Sequence, residues 1–547
     1  MSKKLWLAML MAFMLVLGLA ACSGGEEATN EKDPKSENTD DGNKDGEKEE
    51  SKNETLVFGR GGDSVSLDPI AVTDGESLKV TKNVFDTLVD FGQQDVEIHP
   101  ALATEWDVSE DGLVYTFKLR EGVKFHDGTD FNADAVVFNF ERWAGGDKES
   151  FYYYGSMFGG YGDDEKHVIK EVKAVDPLTV QFTLKKPLTP FLKNLAMSPF
   201  GIASPEAVKK HGDKFGENPV GTGPFVFVEW KRNERIVVEK NPNYWKEGFP
   251  KLGKVIFVTI PDNTARLNAL LSGEIHLADG LNNTDKGQLE GNSNLAAINR
   301  PPMNVGYLGL TNTRGPLKDV KVRQALNYAV NKQEIIDAFF AGQADPAINP
   351  MPSSIEGFNS DVKDYEFDPE KAKALLAEAG YPDGFEMDLW AVPIPRPYMP
   401  EGQKTAEILQ AQFAKIGVKA NIVSFEWATY LDKARQGEAD AFLLGWTGDN
   451  GDADNFLNVL LSGDKIDSNN YARYNNAEVT KLLADAQSEL DLKKREEMYH
   501  KAQEIIKEEA PWVPLFHTTP LLGSVANLEG FYPHPTGSDK LDTVEFK

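Results

Sequence analysis

The alternation of apolar and polar positions marks strands in the first third of the chain. Tyr115, Phe117 and Leu119 alternate with Thr116, Lys118 and Arg120, and Val180, Phe182 and Leu184 alternate with Gln181 and Thr183. A period of two is the signature of a half-buried strand. Further on the period lengthens to that of a helix. Asp319 is placed to cap a helix whose Val322, Ala325, Leu326, Ala329 and Val330 share one face. Asp368-Pro369-Glu370 reads as cap, first-turn proline and acid, with Gly380 as the stop.

The most informative stretch runs from Phe385 to Trp446. Phe385–Val392, Val418–Phe425 and Ala439–Trp446 read as strands, separated by helices over Lys404–Lys415 and Thr429–Arg435. Strand–helix–strand–helix–strand with short links predicts parallel strands, and ligands of such sheets bind beyond the carboxyl ends of the strands. Two unusual loops lie there. Pro393-Ile394-Pro395-Arg396-Pro397-Tyr398-Met399-Pro400 has four prolines in eight residues, which holds Arg396 on non-helical, low-entropy backbone. Thr447-Gly448-Asp449-Asn450-Gly451-Asp452-Ala453-Asp454 places Asp449 just past an apolar strand, among glycines that allow close approach. A guanidinium is a bidentate partner for a carboxylate, so one cation and one anion on neighbouring strand ends suggest a zwitterionic ligand. The residues alone equally allow Arg396 and Asp449 to pair with each other or to cap their loops.

The first segment of the chain has a different pattern. Met1-Ser2-Lys3-Lys4 precedes an uncharged run of 17 residues, Leu5 to Ala21, that ends in small residues. This is short for a membrane span of about 20 residues and has the layout of an export signal. Leu19-Ala20-Ala21-Cys22 resembles a lipobox, which implies cleavage before Cys22 and diacylglycerol on its sulfur. Across Glu26–Glu54 there are twelve acidic and five basic residues, and Ala28 is the only aliphatic one. Such a segment cannot bury enough apolar surface to order itself and is expected to act as a tether.

Composition then narrows the function. The 547 residues suffice for three or so domains. Lys plus Arg number 58 against 86 Asp plus Glu, a net charge of −28, which argues against nucleic acid as a partner. The single cysteine excludes an intramolecular disulfide, a Cys-ligated zinc site and an iron–sulfur cluster. The eight histidines show no metal-motif or catalytic spacing, and His126 reads as structural. The loop at Asp449 lacks the glycine and distal glutamate of a calcium-binding EF-hand. Gly59-Arg60-Gly61-Gly62 lacks the lysine spacing of a phosphate loop, and no Gly-x-Ser-x-Gly elbow occurs. No metal and no cofactor is implied.

Ordered motifs extend this reading. Leu102-Ala103-Thr104-Glu105-Trp106, Tyr115–Arg120, Gly122-Val123-Lys124-Phe125-His126-Asp127-Gly128, Gly221-Thr222-Gly223-Pro224-Phe225 and Val322-Arg323-Gln324-Ala325-Leu326 make the body from about Thr55 onward resemble the solute-binding proteins of bacterial peptide ABC transporters. Met303–Leu308, the Arg396-Pro397-Tyr398 loop and Gly445-Trp446-Thr447-Gly448-Asp449-Asn450-Gly451-Asp452 are most similar to its dipeptide-binding branch. The resemblance implies an α/β fold of the type II periplasmic-binding-protein class: two α/β lobes with hinge strands and an extra inserted domain. Residues 1–22 are then a lipoprotein signal and 23–54 an acidic tether. Lobe I comprises 55–86, 220–303 and 513–547, the insert 87–219, and lobe III 304–512, with hinge crossings near Asn304–Leu310 and Val513–Thr518.

By the same resemblance Arg396 binds a peptide carboxylate and Asp449 an α-ammonium. Tyr398 and Trp446 flank these loops and are expected either to cover the ligand or, for Trp446, to belong to the core. Gly445 and, more weakly, Gly75 of Thr73-Asp74-Gly75 complete the expected site. The implied partners are a short peptide, foremost a dipeptide, an ABC permease with its ATPase subunits, and the membrane through the lipid on Cys22; a monomer is expected. Relatives of this fold that bind oligopeptides, signalling peptides, glutathione, haem or nickel chelates define the alternatives within the class, and a secreted peptidase is the alternative outside it.

One outcome follows from the lipobox. Two acyl chains anchor firmly where one holds weakly, so Cys22→Ser should move the protein from the membrane fraction to the soluble one without changing ligand affinity. Fractionation showing detergent-dependent membrane association of Cys22→Ser would contradict lipid anchoring.

Overall fold

The computed structural model describes residues 54–547; the signal, Cys22 and nearly all of the tether lie outside the described residues. Three principal sheets organise the chain. The first has seven strands, in the order Leu295–Asn299, Leu521–Val525, Leu277–Leu281, Thr55–Arg60, Lys254–Thr259, Arg235–Lys240 and Phe225–Lys231. Thr55–Arg60 runs parallel to both of its neighbours, and the remaining pairs are antiparallel. The second has six strands, in the order Ala344–Pro346, Trp512–Thr518, Asn304–Leu310, Ala441–Thr447, Glu386–Trp390 and Lys419–Val423. A four-stranded antiparallel sheet (Ala103–Val108, Val114–Leu119, Thr179–Leu184, Ile169–Asp176) belongs to the segment between the first strands of the first sheet.

The alternation in that smaller sheet is realised as expected. Tyr115, Phe117 and Leu119 are buried while Lys118 is exposed, and Val180, Phe182 and Leu184 are buried on the partner strand. Tyr115 sits opposite Phe182 and Phe117 opposite Val180, so one face of the hairpin is a continuous apolar surface. It packs with Phe140, Trp143, Phe158, Phe191 and Phe200 into the core of this segment.

The predicted strand–helix–strand–helix–strand is present. Glu386–Trp390 is parallel to both Lys419–Val423 and Ala441–Thr447, with helices Gly402–Ala414 and Trp427–Arg435 between them. The caps agree as well. Asp319 accepts from the backbone N–H of Lys321 at the start of Val320–Tyr328, and Asp368 accepts from those of Glu370 and Lys371 at the start of Pro369–Glu378.

The chain passes between the first and second sheets twice. It crosses at Arg300–Met303, between Leu295–Asn299 and Asn304–Leu310, and returns at Thr519–Pro520, between Trp512–Thr518 and Leu521–Val525. The expected hinge segments are thus neighbouring strands of the second sheet, and the change of sheet falls just outside them. The crossings are tied together: Arg300 N–H donates to Pro520 O at 3.0 Å, and the Asn304 amide donates to Thr518 O at 2.9 Å and accepts from Thr518 N at 3.0 Å. The Arg300 guanidinium is buried against Asp539 and Asp279 at 2.6 and 3.2 Å. Among the described residues no helix is long and apolar enough to cross a membrane.

Candidate functional site

Both predicted loops follow the carboxyl ends of parallel strands in the second sheet, and the neighbouring strand shapes the floor between them. Gly306 lies directly opposite Gly445 in the antiparallel pair. A Cβ on Gly445 would sit 2.3 Å from the Tyr398 ring, and one on Gly306 would sit 2.5 Å from the Tyr398 carbonyl oxygen. The two glycines are therefore required for the arginine-bearing loop to lie on the sheet. Gly445, expected to face ligand, makes room for Tyr398. Thr518 Oγ1 donates to Pro397 O at 2.6 Å and fixes the same loop from the other side.

Arg396 and Met399 exchange backbone hydrogen bonds of 3.2 and 2.9 Å, so the Pro397-Tyr398 turn is closed. The Arg396 guanidinium carbon stands 4.3 Å from the centroid of the Trp427 ring, a cation–π contact. Among the described residues no carboxylate lies within ion-pair distance of Arg396, and its buried Nε has no hydrogen-bond partner. This guanidinium is stacked but not neutralised. Burial pushes the Tyr398 hydroxyl beside it up to about 12.

Asp449 is the complementary case. Its backbone N–H donates to Asn455 Oδ1 at 2.9 Å, and Asn455 Nδ2 donates to Asp449 Oδ2 at 3.1 Å. Trp446 Nε1 donates to the same Asn455 Oδ1 at 2.9 Å, so one asparagine orients both predicted residues. Asn455 is itself held on helix Ala453–Leu461, whose cap Asp452 is fixed by two hydrogen bonds from Arg495 at 3.0 and 2.7 Å. From the inserted segment, Tyr153 Oη donates to Asp449 Oδ1 at 2.9 Å. Burial raises the Tyr153 hydroxyl well above its ordinary value, and the Asp449 charge raises it further, so it keeps its proton.

No cation pairs with Asp449 among the described residues. Its carboxyl is pushed up to about 6 by burial, against the pull of the hydrogen bonds from Asn455 and Tyr153. The other acids of this loop are accounted for differently. Burial raises Asp452, but the Arg495 guanidinium outweighs it and holds the carboxyl below its ordinary range. Asp454 is raised to about 6 by burial and then by Asp452, and faces Gln487 Nε2 at 3.1 Å. With three carboxylates turned to three different partners, the loop gathers no shared ligand set, and no metal-binding group occurs among the described residues.

A small cavity opens beside Asp449 and Tyr153, lined also by Leu78, Lys82, Met197 and His534. Leu78 and Lys82 come from helix Gly75–Val84, capped by Asp74. Gly75 is an exposed first residue of that helix, with open space where a Cβ would stand, and does not line the cavity. Trp446 is half-buried against the core of the second sheet while its indole nitrogen supports Asn455. Arg396 and Asp449 are not paired with each other. Three residues absent from the sequence reading complete the picture: Asn455, Tyr153 and Trp427. Asn455 stands six positions after Asp449, one turn inside the helix that Asp452 caps, and Tyr153 is the middle of the run Tyr152-Tyr153-Tyr154.

Comparison with known proteins agrees with this architecture. The signature of bacterial extracellular solute-binding proteins, family 5 Middle, matches residues 97–468. The chain is 38% identical over 512 residues to heme-binding protein A of Haemophilus influenzae, covering 90% of this chain and 92% of that one. It is likewise 38% identical over 509 residues to the dipeptide-binding protein of Escherichia coli, covering 90% and 95%. The solved ABC transporter-associated periplasmic binding protein of Helicobacter pylori, in complex with the peptide STSA, superposes with a TM-score of 0.80 at 37% identity, over 90% of this chain and 98% of that one. The protein is a transport receptor of the type II periplasmic-binding class. It belongs to the bacterial extracellular solute-binding proteins, family 5.

The raised Asp449 carboxyl gives a pH dependence with a definite sign. Only the ionised form attracts a ligand cation, and an α-ammonium with a pKa of about 8 is mostly protonated up to about pH 7. Affinity for a free dipeptide such as dialanine should therefore be highest near pH 7 and fall as pH drops through 6, approaching tenfold per unit near pH 5. The Asp449→Asn protein should show no such fall. Calorimetric titrations across this range check it, and a flat wild-type profile would contradict the assignment.

Proposed function

We propose that this protein captures short peptides, foremost dipeptides, by their two charged ends and delivers them to an ABC permease and its ATPase subunits. The carrying observation is the pair of unneutralised charges: a carboxylate at Asp449 and a guanidinium at Arg396, each oriented by neighbours and neither given a counter-ion by the fold. Asp449 takes the α-ammonium and Arg396 the carboxylate. Tyr398 and Trp446 keep both loops in place beside the ligand. The relatives named for dipeptide binding and the solved peptide complex support the same chemistry.

In this reading the receptor is a non-enzymatic monomer, anchored through lipid on Cys22 to the extracytoplasmic face of the membrane. The parts around the first sheet form lobe I (55–86, 220–303 and, past the return crossing, 519–547), residues 87–219 the insert and 304–518 lobe III, since Trp512–Thr518 is a strand of the second sheet. The crossings at Arg300–Met303 and Thr519–Pro520 serve as hinges about which the lobes close. A dipeptide suits a two-point clamp, because two extended residues span roughly 7 Å and fix the separation of the charges.

Capping either end of the ligand tests this. Leaving one buried charge unpaired costs on the order of 3–5 kcal/mol, or about two to four powers of ten in affinity. N-acetyl-dialanine and dialanine amide should both bind far more weakly than dialanine in calorimetry. Arg396→Lys should not restore binding, since an ammonium lacks the planar fork. An acetylated peptide that bound as tightly as the free one would remove Asp449 as the ammonium site. Mass spectrometry of the ligand that co-purifies provides the independent check: a tetrapyrrole in place of peptides would move the protein to the haem-binding branch.

A further inference from the structure

The cavity beside Asp449 adjoins a larger one. Lys82, Phe91, His534 and Ser538 line both, and the second chamber measures about 280 Å³. Its walls carry the rings of Phe91, Tyr244, Trp245 and Tyr532. Phe91 is stacked on His534 at 5.7 Å between centroids. Tyr244 and Trp245 are anchored by their polar ends, which donate to the buried Asp86 at 3.2 and 2.9 Å.

The charges around this chamber cancel. Lys82 pairs with Asp90 at 2.5 Å, Lys540 with Asp86 and Asp90 at 3.0 and 3.2 Å, and Lys246 with Asp542 at 2.9 Å. His534 adds none at neutral pH, because burial and then Lys82 push it down to about 4. Aromatic walls without a spare charge suit an uncharged apolar or aromatic group. They do not suit an ionic one, which would find no free counter-ion. The chamber adjoins the small cavity that Asp449 lines, sharing the walls Lys82, Phe91, His534 and Ser538 with it. In a peptide whose α-ammonium is held there, the first side chain leaves the Cα only one bond of 1.46 Å from that nitrogen. The second side chain starts several bonds further away.

We infer that this chamber receives the first side chain of the bound peptide, so that the protein favours peptides beginning with a large apolar or aromatic residue. The inference rests on Asp449 being the ammonium site. It assigns selectivity to residues outside the two charged loops, chiefly Tyr532 and the rings behind it.

Calorimetry with Trp-Ala, Ala-Trp and Ala-Ala tests it against wild type and two variants that alter only the larger chamber. Wild type should bind Trp-Ala about tenfold or more tighter than Ala-Ala, with a smaller gain for Ala-Trp. Ala101→Leu fills the chamber and should abolish the Trp-Ala advantage, while Ala-Ala affinity stays within about threefold. Tyr532→Ala removes a ring that is 40% exposed, should leave the fold undisturbed, and should reduce the same advantage even if Ala101→Leu does not fold. Saturation-transfer NMR with free indole, which needs no charged end, should show binding to wild type and less to Tyr532→Ala. Equal affinity of wild type for Trp-Ala and Ala-Ala, or a variant that weakens all three peptides alike, would overturn the inference. Indole binding without any dipeptide binding would refute the dipeptide reading and leave the chamber standing. Dipeptide binding with neither a preference nor an indole signal would do the reverse.

Discussion

A carboxylate kept from water without a cation is the constraint on which the site depends. Asp449 receives hydrogen bonds from Asn455 and Tyr153, yet these do not repay what burial takes, and the carboxyl rises to about 6. Several other buried acids have a cation partner. Asp452 is matched by Arg495, Asp279 by Lys79 and Arg300, and Asp86 by Lys540. Asp449 and Asp454 are both left to neutral donors and both rise to about 6, but of the two only Asp449 lines the small cavity, which makes it the one that a positive charge from outside could reach. Much of the surrounding structure serves that position: the Gly306–Gly445 pair seats the facing loop, and Arg495 locks the helix from which Asn455 reaches back.

The segment between the first two strands of the first sheet reaches the Asp449 loop. It supplies Tyr153, and further contacts tie it to the same loop and to Glu489 at the end of helix Ala477–Ser488. Asn450 Nδ2 donates to Asn194 Oδ1 at 2.7 Å, Lys193 Nζ to Gly451 O at 3.1 Å, and Thr189 Oγ1 to Glu489 O at 2.7 Å. Gly451 has a positive φ of 66°, and a Cβ there would meet Val96 at 2.2 Å. The loop was thus shaped for contact on two sides: a strand end that orients Asp449 and an insert that covers it. Under the proposed function, an ammonium at Oδ1 would meet the Tyr153 hydroxyl that donates to the same oxygen.

What could be read from the sequence was what short-range chemistry fixes. The period-two faces of Tyr115–Leu119 and Val180–Leu184, the caps at Asp319 and Asp368 and the parallel unit around Glu386–Trp390 all depend on residues a few positions apart. The two charged loops were visible because proline and glycine density marks them. Asn455 was harder to see, since its role depends on how the helix after Asp452 turns. Tyr153 and Trp427 could not be placed at all, because 296 residues separate Tyr153 from Asp449 and no local pattern carries such a pairing. Gly75 illustrates the converse: a motif match suggested it for the site, while the small cavity beside Asp449 is lined by Leu78 and Lys82 of the same helix.

A buried Asp449 carboxylate without a cation should destabilise the empty protein and be relieved by a ligand cation. The sign follows from linkage. A carboxyl raised from 3.8 to about 6 binds its proton more tightly when folded, so this group's contribution to stability declines as pH rises through that window and is fully adverse above it. Replacing it with asparagine keeps a donor and an acceptor for Tyr153 and Asn455 while removing the charge. The direct test is thermal unfolding of wild type and Asp449→Asn at about pH 7.5 and pH 4, with and without dialanine. Without peptide, Asp449→Asn should be the more stable at pH 7.5, by on the order of 1–3 kcal/mol, with the gap closing at pH 4, and peptide should stabilise wild type far more than the variant. An empty Asp449→Asn protein less stable than wild type at pH 7.5 would make Asp449 a structural residue and contradict the account.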